Sequence, residues 1–256
     1  MSEVPVRDAA TVVLLRDGDV GLQTWLLTRV EQMVFAAGMS VFPGGRVDEA
    51  DVLLPFAAGA GSQVAARFGC GESTALALLG AAVRETFEET GVLLTEPMID
   101  LSSVRADVEE GRVSFGDLLR ANGLTIAADV LRPWARWVTP AGEARRYDTR
   151  FFVGALPAGA QAQDLTSESS EASWVGVGES LEQARRGKRG MLPPTIMTLA
   201  ALESFGTVAA ALAAAPTGPI DAVRPHIRAE GDKIIAELPD GTRVELPKSM
   251  FVNGLS

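Results

Sequence analysis

The stretch Arg84-Glu85-Thr86-Phe87-Glu88-Glu89-Thr90-Gly91 decides how this chain reads. It closes a segment that predicts a helix. Ser73 is a candidate N-cap, alanines and leucines fill the body, and Gly91 stands where a left-handed residue ends a helix. At about 100° per residue, Leu76, Leu79, Val83 and Phe87 share one face, predicted to enter the core. Glu85, Glu88 and Glu89 fall on the opposite face at spacing i, i+3 and i+4. That placement works against the helix. Like charges at i,i+4 repel by roughly 0.2–0.5 kcal/mol. Acids in the last turns also oppose the helix dipole, by roughly 0.3–1 kcal/mol each. One arginine, Arg84, does not neutralise three carboxylates.

Converging carboxylates become tolerable when a cation sits among them. Oxygen ligands without a Cys or His cluster favour a hard divalent ion, Mg²⁺ or Mn²⁺, over zinc. For an isolated E-x-x-E-E, a solvated acidic helix end is the better reading, and the surrounding sequence decides between the two.

The string R-E-T-F-E-E-T-G-V resembles the second half of the Nudix box, G-x5-E-x7-R-E-U-x-E-E-x-G-U with U aliphatic. Upstream, Phe42-Pro43-Gly44-Gly45-Arg46-Val47 resembles the loop that opens it, and Asp51 is an acid where the family has Glu. Thr86 replaces an aliphatic residue, and 32 residues separate Asp51 from Arg84 where the family has seven, an insertion of 25. A second block, R-W-V-T-P…R-Y-D-T-R-F-F, is similar to one in the Nudix subgroup with a long insertion inside the box, which includes coenzyme A diphosphatases.

The resemblance implies an α/β fold: an α/β/α sandwich with a mixed sheet, the insertion at about 52–72, and metal-dependent hydrolysis of a diphosphate bond. Glu85, Glu88 and Glu89 are implied to hold Mg²⁺ or Mn²⁺ with the Gly45 carbonyl, Glu88 or Glu89 also accepting a proton. Arg84 is expected to orient Glu85 or Glu89, and Asp51 to be structural. Glu168, ahead of Glu171 in the acidic loop before Trp174, is the candidate for binding metal or orienting the attacking water. Arg46, Arg29 and Arg136, with Arg150 beside them, are candidates for substrate phosphates.

The substrate expected is a small nucleoside-diphosphate derivative, with coenzyme A or an acyl-coenzyme A first. Leu26-Leu27-Thr28-Arg29…Gly38-Met39-Ser40-Val41-Phe42-Pro43-Gly44-Gly45 partly resembles the extra signature of coenzyme A-cleaving Nudix enzymes. Arg29 stands one place early in it, and Val34 replaces an arginine. Diphosphatases of NADH, ADP-ribose or dinucleoside polyphosphates are the alternative. A non-catalytic binding module is a further one, but it has no reason to keep the repulsion among three glutamates.

Composition bounds the rest. A net charge of −10 argues against a nucleic-acid backbone as partner. Cys70 and His226 are single, so neither an internal disulfide nor a His-dependent triad with a Ser or Cys signature is expected. No apolar run approaches the roughly 18–20 residues that span a membrane. The N-terminus lacks a basic n-region, and a cytoplasmic protein is expected.

Along the chain, residues 10–16 and 22–29 predict a hairpin turning at Asp17-Gly18-Asp19. Short helical turns are expected over one edge of the domain in 52–72, and a short strand at Val92–Thr95. Ser114–Asn122 predicts a helix, Trp134–Pro140 and Thr149–Leu156 strands, and Leu181–Arg186 a short helix. Pro193-Pro194-Thr195 opens another helix, and 209–215 is compatible with a further one. Residues 1–218 are read as the catalytic domain and 219–256 as its C-terminal β extension. A hairpin there turns at Pro239-Asp240-Gly241, with a homodimer partner as the expected neighbour.

Overall fold

The computed structural model describes residues 4–30, 38–127, 129–163 and 169–247. Val34 and Glu168 lie outside them. Strand β1 (Val6–Gly18) is the axis of the fold. Ala10, Val12 and Leu14 are buried on one face of the sheet, Val13 and Leu15 on the other. A strand covered on both faces reads as a continuous apolar run, and here it is T-V-V-L-L. β1 turns into β2 (Gly21–Arg29) through Asp19-Val20, not through Asp17-Gly18-Asp19: Gly18 pairs with Gly21, and Gly21 supplies the positive φ of 80°.

β1 and β2 then diverge, and a wedge fills the opening. β3 (Ser40–Val41) pairs with β2, and β4 (Gly44–Arg46) pairs with β1 on the same side. β5 (Arg132–Val138), β6 (Arg146–Ala155) and β7 (Ser169–Gly176) follow. β6 lies parallel to β1, β5 antiparallel to β6, and β7 antiparallel to the outer edge of β2. β8 (Ala222–Val223) completes a mixed sheet of eight strands.

One face of the sheet carries α1 (Ala60–Phe68), α2 (Glu72–Thr90) and α4 (Phe115–Ala121), with the short α3 (Arg105–Glu109) against the end of α2. The other carries α5 (Val177–Arg185), α6 (Pro193–Leu202) and α7 (Val208–Ala213). This is the α/β/α sandwich. β9 (His226–Glu230), β10 (Lys233–Glu237) and β11 (Arg243–Pro247) form a separate antiparallel sheet whose Ile234 and Ala236 pack on Ile196 and Met197 of α6.

Several expectations shift. α2 begins at Glu72 with Gly71 as N-cap, so Ser73 lies inside the first turn. Val92–Thr95 is buried but joins no sheet; the nearest ladder is a single bridge between Glu96 and Thr125. The inserted piece does more than cover an edge. Its helix α1 sends Val64 and Phe68 into the core, where Phe68 meets Phe152 edge-on at 5.6 Å, a pairing worth about 1 kcal/mol beyond its area. Before α1, residues Glu49–Leu53 form a 3₁₀ turn lying on α2, and Gly80 is what lets it lie there: a Cβ at Gly80 would strike the Asp51 carbonyl.

Candidate active site

Although 32 residues separate Asp51 and Arg84 in sequence, they are in contact. Arg84 donates from Nε to Asp51 Oδ1 at 2.8 Å and from Nη2 to Oδ2 at 3.0 Å, a two-pronged grip on a carboxylate that is 1% exposed. Asp51 Oδ2 also accepts the backbone N–H of Asp48 at 2.8 Å, which fixes the 3₁₀ turn. The insertion therefore loops out of the box while its two ends stay joined.

The other prong of Arg84 reaches the glutamates. Nη1 donates to Glu85 Oε1 at 2.8 Å and to Glu88 Oε2 at 3.1 Å, and Nη2 to the Arg46 carbonyl at 3.0 Å. Glu89 is not held by Arg84; its Oε2 accepts the backbone N–H of Gly44 at 2.9 Å. Of the two residues Arg84 was expected to orient, the structure gives it Glu85 and assigns Glu89 to the glycine loop.

Those glycines are a steric requirement. Gly44 has φ 154°, and a Cβ there would enter the Ala10 carbonyl; a Cβ on Gly45 would sit inside the Glu85 carboxylate. The wedge of β4 between β1 and β2 thus presses two backbone units against the acidic end of α2. That end is sealed behind: Gly91 takes φ 73° and donates to the Phe87 carbonyl at 2.8 Å, and Arg105 Nη1 donates to the Glu88 carbonyl at 2.6 Å. Thr86, at the aliphatic position, is fully buried and satisfies its hydroxyl on the Ala82 carbonyl at 2.8 Å.

The carboxylates are only partly in water. Side chains of Glu85 and Glu88 are 16% and 17% exposed. Burial pushes both acids up, Glu88 to about 7, against the pull of Arg84; Glu85 beside it adds to the rise of Glu88. For Arg84, burial pulls the guanidinium down, but its hydrogen bonds to Asp51 and the surrounding carboxylates outweigh it, and the net shift is upward. Among the described residues no three His, Cys, Asp or Glu side chains are gathered about one point as a metal cage, since Glu85 and Glu88 turn to Arg84 and Glu89 to Gly44. The donor chemistry nevertheless fits a hard divalent cation. All side-chain donors are carboxylate oxygens, and a second positive charge is what would restore the ionised form of two acids that burial disfavours.

The remaining candidates are spread around this centre. Arg46, on β4, has a side chain 53% exposed and 3.7 Å from Asp48. Arg29 ends β2, its backbone paired with Met39. Arg136 is three strands from Gly45 along the row Gly45, Ala10, Arg150, Arg136, about 14 Å at normal strand spacing. It grips Asp148 with two bonds of 2.9 and 2.7 Å. Arg150 contacts Asp148 and Asp8. Glu171 is exposed on β7, opposite Thr28. Sequence reading passed over Gly44 as a donor and Arg105 as a cap, and no local pattern marks either one.

Comparison with known proteins places the chain in a family. Residues 69–202 match the family model described as NUDT19 Nudix domain. The chain is 31% identical over 203 residues to nudix hydrolase 7 of Caenorhabditis elegans, and 25% identical over 228 residues to the acyl-coenzyme A diphosphatase NUDT19 of Xenopus laevis. These alignments take in 77% and 72% of this chain and 60% of each relative, so the chain spans about three fifths of their length. The crystal structure of a Nudix hydrolase from Alicyclobacillus acidocaldarius superposes with a TM-score of 0.71 at 28% identity, covering 84% of this chain and 99% of that one. With a family match over half its length and the box rebuilt in space around Arg84, the chain belongs to the Nudix hydrolases, in the NUDT19 family.

Proposed function

We propose that this chain hydrolyses the diphosphate bond of a small nucleoside-diphosphate derivative, coenzyme A or an acyl-coenzyme A first, with Mg²⁺ or Mn²⁺ as cofactor. The observation that carries the reading is the surplus of half-buried carboxylates around one arginine, pressed against two glycines. Glu85, Glu88, Glu89 and the Gly45 carbonyl would hold the ion, whose chemistry is to neutralise phosphate oxygens and lower the pKa of bound water.

The chain's own residues do the rest. Asp51 anchors Arg84, and Arg84 holds Glu85 and Glu88 in place by charge-assisted hydrogen bonds. Glu88, raised to about 7, is matched to accepting a proton at neutral pH. Glu89, fixed by the Gly44 N–H, is the companion carboxylate. Arg46, exposed beside Gly45, is the arginine best placed for a substrate phosphate. Arg29 and Arg136 are the more remote candidates. Glu168 is retained as the residue to orient the attacking water.

The names of the vertebrate relatives support coenzyme A as the substrate. The test is product release from coenzyme A, NADH, ADP-ribose and diadenosine polyphosphates, each with and without EDTA. EDTA-sensitive cleavage favouring coenzyme A is expected. Preference for a dinucleotide would overturn the substrate, and no cleavage of any compound would overturn the enzyme.

A further inference from the structure

The last four carbonyls of a helix lack partners within its own ladder. At the end of α2, groups from past the helix meet three of them. The Phe87 carbonyl accepts the Gly91 N–H at 2.8 Å, and the Thr90 carbonyl accepts the Gln163 N–H at 3.0 Å. The Glu88 carbonyl instead accepts from a side chain, Arg105 Nη1, at 2.6 Å.

Arg105 lies 17 residues beyond Glu88, outside the box, on α3. Val108 ties that helix to the core. Arg105 is only 6% exposed, an uncommon setting for a guanidinium. Its Nη1 also donates at 2.6 Å to Glu109 Oε2, one turn further along α3. Arginine and glutamate together are close to neutral, so α3 delivers to α2 chiefly a hydrogen-bond donor of fixed direction.

Glu88 is thereby held from two sides. Arg84 Nη1 takes its side chain at 3.1 Å, and Arg105 takes its main chain. Helix ends fray. In the last turn of α2, fraying would shift Glu88 and Glu89 against the glycine loop that Glu89 touches through the Gly44 N–H.

Resting on the hydrolase reading above, we infer that Arg105 is a positioning residue for the reaction, pinning the Glu88 carbonyl so that the carboxylates of the last turn keep the spacing in which they hold a divalent ion. It acts through the backbone of Glu88. A plain helix cap would contribute to stability alone, whereas a positioning residue also sets metal affinity and kcat.

Arg105→Met and Arg105→Lys are compared with wild type and with Val64→Ala, a cavity-forming change in the core on α1. The readouts are the thermal melt, binding of Mn²⁺ alone by electron paramagnetic resonance, and kcat and KM on whichever test compound wild type cleaves fastest. All are taken below every melting transition. Arg105→Met should weaken Mn²⁺ binding about tenfold and lower kcat about 10–100-fold, with KM within about threefold. Arg105→Lys, which keeps the charge and a donor, should fall between it and wild type. Val64→Ala should lower the melting temperature without either loss.

Wild-type Mn²⁺ affinity and kcat in Arg105→Met would overturn the inference, as would equal losses in Val64→Ala or a lysine variant no better than methionine. Should Arg105→Met not fold, Arg105→Lys decides: about threefold losses in Mn²⁺ affinity and kcat sustain the role, and wild-type values sink it. Wild type that binds Mn²⁺ but cleaves nothing would remove the proposed function, and Mn²⁺ affinity would then judge Arg105 alone. Wild type that binds no Mn²⁺ would remove both.

Discussion

Two arginine–carboxylate clusters lie on the same side of the sheet, and their charge balance differs. On β5, β6 and β1, Arg136 and Arg150 meet Asp148 and Asp8, two bases for two acids. At the end of α2, Arg84 alone meets Asp51, Glu85 and Glu88, with Glu89 close by on Gly44. In the first cluster, the Asp148 hydrogen bond raises the Arg136 guanidinium. In the second, burial lifts Glu85 and Glu88 out of the ordinary carboxylate range. A balanced network has what it needs within the fold, whereas a surplus of half-buried acid is an incomplete one. The comparison separates an arginine that staples strands from one that presents ligands.

The largest expected difference is in turnover. Glu88→Gln or Glu89→Gln should lower metal-dependent hydrolysis by about 10²–10⁴-fold with the fold intact, measured as product release beside a thermal melt. Arg136→Gln, in the balanced cluster and a remote candidate for substrate, should lower turnover far less than either glutamate variant.

Stability should differ in the same direction. Asp51→Ala strips a fully buried partner from Arg84 and should cost about 3–5 kcal/mol in denaturant unfolding. Asp148→Ala, in a more open pair, should cost about 1–2 kcal/mol. Equal costs would remove the distinction.

Gly45→Ala should cost about 2 kcal/mol and reduce turnover, because the new methyl displaces the Glu85 carboxylate. An unaltered variant would mean that the contact is not maintained.

A further effect is in pH dependence. Glu88 titrates near 7 in the fold and near 4.3 when unfolded, so between those values the folded state keeps a proton that the unfolded state has lost. Metal-free wild type should therefore lose about 2–3 kcal/mol relative to Glu88→Gln as pH rises from 5 to 8. A flat difference, or one of opposite sign, would contradict the raised acid.

What could be read from the sequence follows from range. The end of α2 at Gly91, the N-cap of α4 at Ser114, the proline start of α6 and the turn at Asp240-Gly241 are each specified within a few residues, and all are present. The box glutamates were legible for the same reason, since a helix fixes i, i+3 and i+4 neighbours. The grip of Asp51 on Arg84, the β4 wedge that hands Gly44 to Glu89, and the Arg105 cap on Glu88 depend on chain segments brought together only by packing. Neither periodicity nor turn chemistry encodes such meetings. The early start of α2 is a smaller case: Gly71 in extended backbone serves as N-cap without a side chain, so Ser73 looked better than it was.

Manganese binding tests the central claim most directly. Crystals soaked in Mn²⁺ should show an anomalous peak within bonding distance of Glu85, Glu88 or Glu89, absent in the triple Gln variant, and none at Asp148. An unoccupied α2 end in a crystal of protein that still cleaves diphosphates would contradict the account.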